Sequence, residues 1–340
     1  MKYFVTGATG FIGSVLARKL ADSGHTVHAL FRSKSKTDSI KHSNIRLFKG
    51  DILDIKTIQR ALKGCPFVFH TAAMTKIWTK NPQLYHDINV RGTINIMEAS
   101  LTSGVKKVVM TSTAGVFGPS LNCEVNEKTI RKTEYFTEYE KTKEKADLLA
   151  LDFVKKGLGI VLVHPTRVYG PGLIKESNSA TKLMKLYTKG RWPIIPGSGK
   201  SIGNYVYIDD VIKGHLLAME KGTPGEKYIL GGENISYCGF FDSLKKVSQK
   251  KYILIKMPFF IIIIFSEIMK ILAKIFNFYP FITPEMAKKL SQNWPVSNKK
   301  AFQELGYRPL SFEEGMKKTI QWFKSRENNP WDHKTKNTLW

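Results

Sequence analysis

Tyr139 and Lys143 stand one helical turn apart in the stretch YEKTK, residues 139–143. A phenol and an ammonium at i and i+4 share one face of a helix. Together they suit proton transfer to or from a substrate oxygen. The free phenol, with a pKa of about 10, is poorly matched to neutral pH, and a neighbouring cation lowers it by favouring phenolate. Spacing alone does not decide the matter, because Tyr252–Lys256 and Tyr187–Arg191 repeat it. Tyr252 and Lys256 lie in KYILIKMP, where Pro258 disfavours helix just before it, so they read as packing with a solvent-seeking lysine. A proton-transfer site also needs a hydroxyl to hold the substrate oxygen. TSTA, residues 111–114, offers Ser112 and Thr113 at the end of an apolar run. Glu140 and Lys141, between the paired residues, read as a solvated helix surface.

Hydride chemistry requires a carrier, and TGATGFIG, residues 6–13, supplies a place for one. Gly7 allows a tight turn, Gly10 lets the backbone approach a pyrophosphate, and Gly13 lets a helix pack closely on a sheet. Thr9, Phe11 and Ile12 fill the loop and the helix start, where free N–H groups meet phosphate oxygens. The rival reading is a purely structural turn. The next apolar run ends at Phe31-Arg32, with Lys34 and Lys36 beyond and no carboxylate before Asp38. A guanidinium there suits a 2′-phosphate, so NADP is expected as cofactor, with NAD the alternative. Asp51 can accept from an adenine amino group with Ile52 packed beside the ring; a helix N-cap is its competing role.

The elements that must position these residues follow from hydrophobic patterning. Short continuous apolar runs (YFVTG, HTVHALFR, IRLFKGDI, PFVFHTAA, VKKVVMTSTA, LGIVLVHP) alternate with helical stretches. Residues 87–104 and 141–157 are two of those helices. Such alternation predicts an α/β domain with a parallel sheet buried on both faces, which binds ligands at the carboxyl ends of its strands. Beyond residue 171 the glycine- and proline-punctuated chain reads as a smaller substrate-side region. NYVYIDDVIKGHLLAME and EKYILGG, within about 204–232, read as returning to the sheet domain.

The 340 residues carry 42% apolar and 24% charged side chains, a soluble globular composition with room for a sizeable core. The formal charge of +25 is dispersed and carries no nucleic-acid-binding module, so no nucleic acid is expected. Its bland reading is solvated lysine; attraction to an anionic cofactor or membrane is the functional one. Three widely spaced cysteines suggest neither a disulfide framework nor a metal site. The first residues lack a signal-peptide pattern, so the cytoplasm is the expected location. Residues 257–282 are strongly apolar, but the run free of charge is too short for a membrane span. Glu267, Lys270 and Lys274 then recur at helical spacing, opposite Ile268, Ile271, Leu272, Ile275 and Phe276. Packing within a domain or against a second subunit is the leading expectation for this segment. Lining an apolar pocket or touching a membrane peripherally is the other.

With these motifs in order, nearly the whole chain resembles the extended short-chain dehydrogenases/reductases. Within them it is most similar to the dihydroflavonol reductase, 3β-hydroxysteroid dehydrogenase and NAD-dependent epimerase/dehydratase group. The resemblance implies a Rossmann-type doubly wound parallel sheet over residues 1–170 and a mainly substrate-binding region over 171–340. HTAA would lie beneath the cofactor through Thr71, Ala72 and Ala73, and NVRGT would carry Asn89 as a structural or proton-relay group. In TSTAGVFG the register with Val116-Phe117-Gly118 puts the catalytic hydroxyl on Thr113. Tyr139 inherits the acid/base role and Lys143 the ribose-binding one. Pro165, with Thr166 or Val168, would meet the carboxamide. No metal is implied, and a homodimer through helices at about 87–103 and 140–156 is.

The expected activity is hydride transfer between NADP(H) and a ketone or secondary alcohol, on an apolar, sterol-like or polyketide-like small molecule suggested by 257–282. The alternative is a nucleotide-sugar epimerase or dehydrogenase using NAD. Lys175, Lys182, Arg191 and Lys200 could serve such a sugar nucleotide, whereas Arg32 counts against it. Ala114 and Gly115 stand where a 4,6-dehydratase has its carboxylate pair, which argues against dehydration. A non-catalytic dinucleotide-binding relative would typically have lost the Tyr/Lys pair.

Overall fold

The computed structural model describes residues 1–33, 37–121, 123–174 and 178–327. Lys34, Lys36 and Lys175 lie outside the described residues. Strands Lys2–Thr6 (β1), Thr26–Phe31 (β2), Ile45–Lys49 (β3), Phe67–His70 (β4), Lys107–Thr111 (β5) and Ile160–Pro165 (β6) alternate with helices. Those helices are Phe11–Asp22 (α1), Ile55–Leu62 (α2), Gln83–His86 (α3), Gly92–Thr102 (α4) and Glu138–Lys155 (α5). The chain continues through Arg167–Tyr169 (β7), Ser179–Thr188 (α6), Ile194–Pro196 (β8), Ile202–Tyr207 (β9), Ile208–Lys221 (α7) and Lys227–Leu230 (β10). It ends with Glu233–Ser236 (β11), Tyr237–Ser248 (α8), Ile255–Met257 (β12), Phe259–Phe276 (α9), Pro284–Ser291 (α10) and Phe312–Glu327 (α11).

Seven parallel strands form the main sheet in the order β10-β6-β5-β4-β1-β2-β3. The chain winds outward in both directions from β1, so the expected Rossmann-type doubly wound sheet is present. Its topological switch point lies between β1 and β4, the place where such sheets open a crevice for ligands. Apolar side chains alternate between the two faces with the strand period. Val109, Val161 and Val163 pack with α1 and α7 on one face, while Val108, Met110, Ile160 and Leu162 pack with α2, α4 and α5 on the other. From 204–232, α7 packs on one face and β10 adds the outer strand, but Asn204–Tyr207 belongs to β9 in a three-stranded sheet with β7 and β11.

Two expectations of helix geometry are corrected. The helix expected over 87–104 already begins at Gln83 and passes through a π-helical stretch, Asp87–Arg91, before α4. This wider turn places Asn89 inside, against the loop after β4. Of the two packings expected for 257–282, within a domain or against a second subunit, the internal one does not describe α9, where only Ser266 and Ala273 are fully buried. No helix among the described residues is long and apolar enough to cross a membrane.

Candidate functional site

One cleft of about 320 Å³ opens at the switch point and gathers most of the expected residues. Gly7, Thr9, Gly10, Phe11, Ile12 and Gly13 form its floor from the β1–α1 turn. Gly7 has a φ of +67°, and a Cβ there would come 2.6 Å from the Ala72 nitrogen; at Gly13 a Cβ would come 2.2 Å from the Gly7 oxygen. Both positions therefore exclude a side chain, which leaves the helix N-terminus open to an anion. The Gly10 N–H turns back to the Gly7 carbonyl at 2.7 Å, tightening the loop. Thr71, Ala72 and Ala73 form the facing wall after β4, tied to β1 by the Thr71 hydroxyl donating to the Thr6 carbonyl at 2.7 Å. Arg32, Asp51 and Ile52 stand at one end, Pro165, Thr166 and Val168 at the other.

Asp51 resolves differently from its competing role. The N-cap of α2 is Asp54, which accepts from the Lys56 N–H at 3.0 Å. Asp51 instead accepts from the Leu53 N–H at 3.0 Å within its own turn and still faces the cleft. Arg32 Nη1 lies 3.8 Å from Asp51 Oδ2, so the guanidinium already has a carboxylate neighbour.

The reacting end is built by β5 and α5. Thr137 caps α5, its hydroxyl accepting from the Glu140 N–H, and this starts the helix just before Tyr139. Tyr139 and Thr113 both line the cleft, with their hydroxyls in hydrogen-bonding reach. Ser112 also borders the cleft, but its hydroxyl is engaged elsewhere: it donates to buried Asp147 at 2.7 Å, and His164 Nε2 meets the same carboxylate oxygen at 3.0 Å. This favours Thr113 over Ser112 as the hydroxyl presented to a substrate. Burial, with the charges of Asp147 and Glu140, pushes the Tyr139 phenol above its ordinary value, while Thr113 pulls it down. The lowered phenol expected from the lysine partner is therefore not what this environment produces.

Lys143 and Asn89 do not line the cleft. Lys143 is buried, and its ammonium donates to the Thr111 carbonyl at 2.8 Å. Burial lowers its pKa, and Asp147 works in the opposite direction. Asn89 Oδ1 accepts from the Met74 N–H at 2.7 Å, and its Nδ2 donates to the Thr142 hydroxyl at 3.0 Å. It thus fastens the loop after β4 to the helix that carries Tyr139.

Sequence reasoning missed the charged support below Tyr139. Glu140 is fully buried, not solvated: Arg131 Nη2 lies 3.2 Å from Oε2, and the Lys289 ammonium of α10 closes on Oε1. No local pattern marks that assembly. Asp147 and His164 did leave a trace, since Asp147 falls one turn beyond Lys143 and His164 interrupts an otherwise apolar strand. The isolated pair fails as a second site. Tyr252 packs edge-on against Tyr187 at 5.3 Å, and Lys256 is exposed in β12.

Two buried histidines near the strand ends carry a stability prediction. Thr93 donates its hydroxyl to the Asn89 carbonyl at 2.6 Å, so His70 Nε2 is the donor to Thr93 and Nδ1 accepts from Thr6. His215 donates from Nδ1 to the Val211 carbonyl and accepts from Thr111 at Nε2. Burial pushes His70 down to about 3, with Lys143 adding to the effect, and burial pushes His215 down to about 4. The unfolded chain takes up these protons below about pH 6.5, while the folded chain stays neutral, so stability falls as pH drops from 6.5 toward 4. Urea unfolding should show a loss approaching about 1.4 kcal/mol per histidine per pH unit in that window. His215→Asn should flatten the dependence by about one proton.

The comparisons with known proteins agree with this geometry. The family model described as NAD dependent epimerase/dehydratase family matches residues 3–231. A Synechocystis protein provisionally named dihydroflavonol 4-reductase is 29% identical, across 95% of this chain and 94% of its own. Sterol demethylase protein B of Methylococcus capsulatus is 28% identical, across 96% and 99%. Among solved structures, UDP-glucuronic acid 4-epimerase from Bacillus cereus in complex with NAD superposes with a TM-score of 0.76 at 25% identity, across 96% of this chain and 99% of that one. These findings do not separate the reductase and hydroxysteroid branch from the epimerases. They overturn the expectation of NADP, because the dinucleotide in that similar epimerase is NAD. The guanidinium of Arg32 also stands 3.8 Å from the Asp51 carboxylate, which offsets part of its positive charge at that end of the cleft. With its doubly wound sheet, glycine cradle and tyrosine-bearing helix, the chain is an enzyme of the NAD(P)-dependent oxidoreductase and epimerase type and belongs to the NAD dependent epimerase/dehydratase family.

Proposed function

We propose that the protein uses NAD to oxidise a secondary alcohol and to reduce the resulting ketone, with Tyr139 as the acid/base. The observation that carries this reading is the shared cleft, which has an anion-ready glycine floor at one end and the Tyr139–Thr113 pair at the other. Gly7, Gly10 and Gly13 would hold the pyrophosphate, Asp51 and Ile52 the adenine, and Pro165 and Val168 the carboxamide. Bound NAD supplies the hydride acceptor. Thr113 holds the substrate oxygen, and Tyr139 takes the hydroxyl proton as hydride leaves the carbon, then returns it when the ketone is reduced. Lys143, one turn from Tyr139, donates to the Thr111 carbonyl and so ties the helix that carries the phenol to the strand that leads to Thr113.

For the substrate, a nucleotide-linked sugar has the stronger support, because the epimerase likeness extends over the substrate-binding half as well as the sheet domain. Epimerisation would use the same two half-reactions, with the ketone presenting its opposite face before hydride returns. A second reading, an apolar alcohol, is favoured by one observation: α9 and the residues around it expose a large apolar surface. Incubation with NAD and either UDP-sugars or sterol alcohols separates the two. The sugar reading expects a C4 epimer with no net accumulation of reduced nicotinamide. The apolar reading expects net reduction of NAD and a ketone. Absence of hydride transfer from any alcohol of either class would overturn the proposal.

A further inference from the structure

Helix α9 turns outward the face that an amphipathic helix ordinarily buries. Phe260, Ile264, Phe265, Ile268, Ile271 and Ile275 are each between 50% and 66% exposed. At about 100° per residue these positions form a single stripe along the helix. The opposite side holds the small residues Ser266 and Ala273, both buried, and the Ser266 hydroxyl is satisfied by the Ile263 carbonyl at 2.7 Å. Lys270, beside that inner face, is paired with Glu285 of α10, so the helix is fastened to the protein by its polar flank. Exposed Ile253 and Ile255 extend the apolar surface ahead of the helix, and Phe276 and Phe278 extend it beyond. Isolated exposed apolar residues are ordinary; a contiguous stripe of this kind marks an interaction surface.

Charge selects the partner. Between residues 249 and 300 the chain carries nine lysines and two glutamates, within a molecule of formal charge +25. Lys270, Lys289 and Lys300 are held in ion pairs, while Lys250, Lys251, Lys256, Lys274, Lys288 and Lys299 are exposed. A second copy would set these lysines against their own kind. An anionic lipid surface meets both demands, with acyl chains accepting the apolar stripe and headgroup phosphates accepting the lysines. The location is also suited to function. Just past the helix, the Tyr279 hydroxyl accepts from the Ile77 and Trp78 N–H groups at 2.9 and 3.3 Å, in the loop whose Thr75 lines the cleft.

We propose that α9 docks the enzyme onto an anionic bilayer, lying in the interface plane beside the loop at the cleft wall. The docking is independent of which substrate the site takes. It is tested by sedimenting the full chain with vesicles of phosphatidylcholine alone or mixed with phosphatidylserine, at low and high salt. Binding should require phosphatidylserine, weaken with salt, and fall by about tenfold or more in Phe265→Glu/Ile268→Glu. Circular dichroism of that variant should match the parent, and Ile264→Ser/Ile268→Ser provides a milder test if it does not. Unchanged vesicle binding in a folded variant would place the contact elsewhere and overturn the proposal. So would failure of the parent chain to bind vesicles, including the case where it forms a dimer that the variant abolishes.

Discussion

Tyr139→Phe is expected to lower turnover by about 10² to 10⁴ while leaving the affinity for NAD within about twofold of the parent. The phenol occupies the reacting end of the cleft, whereas the glycine floor that would hold the pyrophosphate lies at the other. Removing one oxygen therefore removes proton transfer without altering the anion cradle. The pH profile adds a second reading. Burial and the charges of Asp147 and Glu140 raise the phenol, so it stays protonated across neutral pH and is ready as the acid for ketone reduction. Alcohol oxidation requires the opposite state, so its rate should climb with pH through neutrality in the parent, and the residual rate of the variant should not. Stopped-flow measurement of nicotinamide reduction and NAD titration by calorimetry provide the two readouts. Thr113→Val should show a smaller loss of about 10 to 10², because the proton carrier remains and only the hydroxyl that holds the oxygen is lost. Full activity in Tyr139→Phe would remove the phenol from the mechanism.

The parts of this site that were legible in the sequence are those in which a local pattern dictates a local geometry. Gly7 and Gly13 could be read because only glycine fits a left-handed turn and a helix packed against that turn. Strand ends were legible because continuous apolar runs stop where the backbone leaves the sheet, and this put Thr71, Thr113 and Pro165 on one cleft. Charge was read poorly. Arg32 suggested a 2′-phosphate, yet its carboxylate neighbour Asp51 comes from the end of the next strand, a pairing that sheet order creates. Glu140 resembled any solvated glutamate because its partners, Arg131 and Lys289, come from a loop and a distant helix. Periodicity likewise identified which residues of α9 share a face, but not which face points outward. That depends on what packs beside the helix, and α10 takes the polar flank through Glu285.

Glu140→Ala is expected to cost about 3–5 kcal/mol of stability, the largest loss among single substitutions near the site. The carboxylate is fully buried, and the Arg131 side chain is only 4% exposed, so removing the anion strands a guanidinium with little access to water. Arg131 is partly compensated by the carbonyls of Gly115, Thr133 and Glu134, at 2.7, 2.9 and 2.7 Å, and these contacts hold the loop before α5 even as the charge balance is lost. Lys289 loses its anchor at the same time, which loosens α10 from the start of the Tyr139 helix. The Phe136 N–H, 3.2 Å from the same carboxylate, is also left without its acceptor. Urea unfolding at neutral pH gives the loss directly. Arg131→Met/Glu140→Met/Lys289→Met separates charge stranding from packing: removing all three charges together should recover much of the stability, because a buried ion cluster contributes little beyond an apolar replacement of similar volume. If the single and triple variants unfold at the same urea concentration, stranded charge is not the cause and the cluster acts through shape alone.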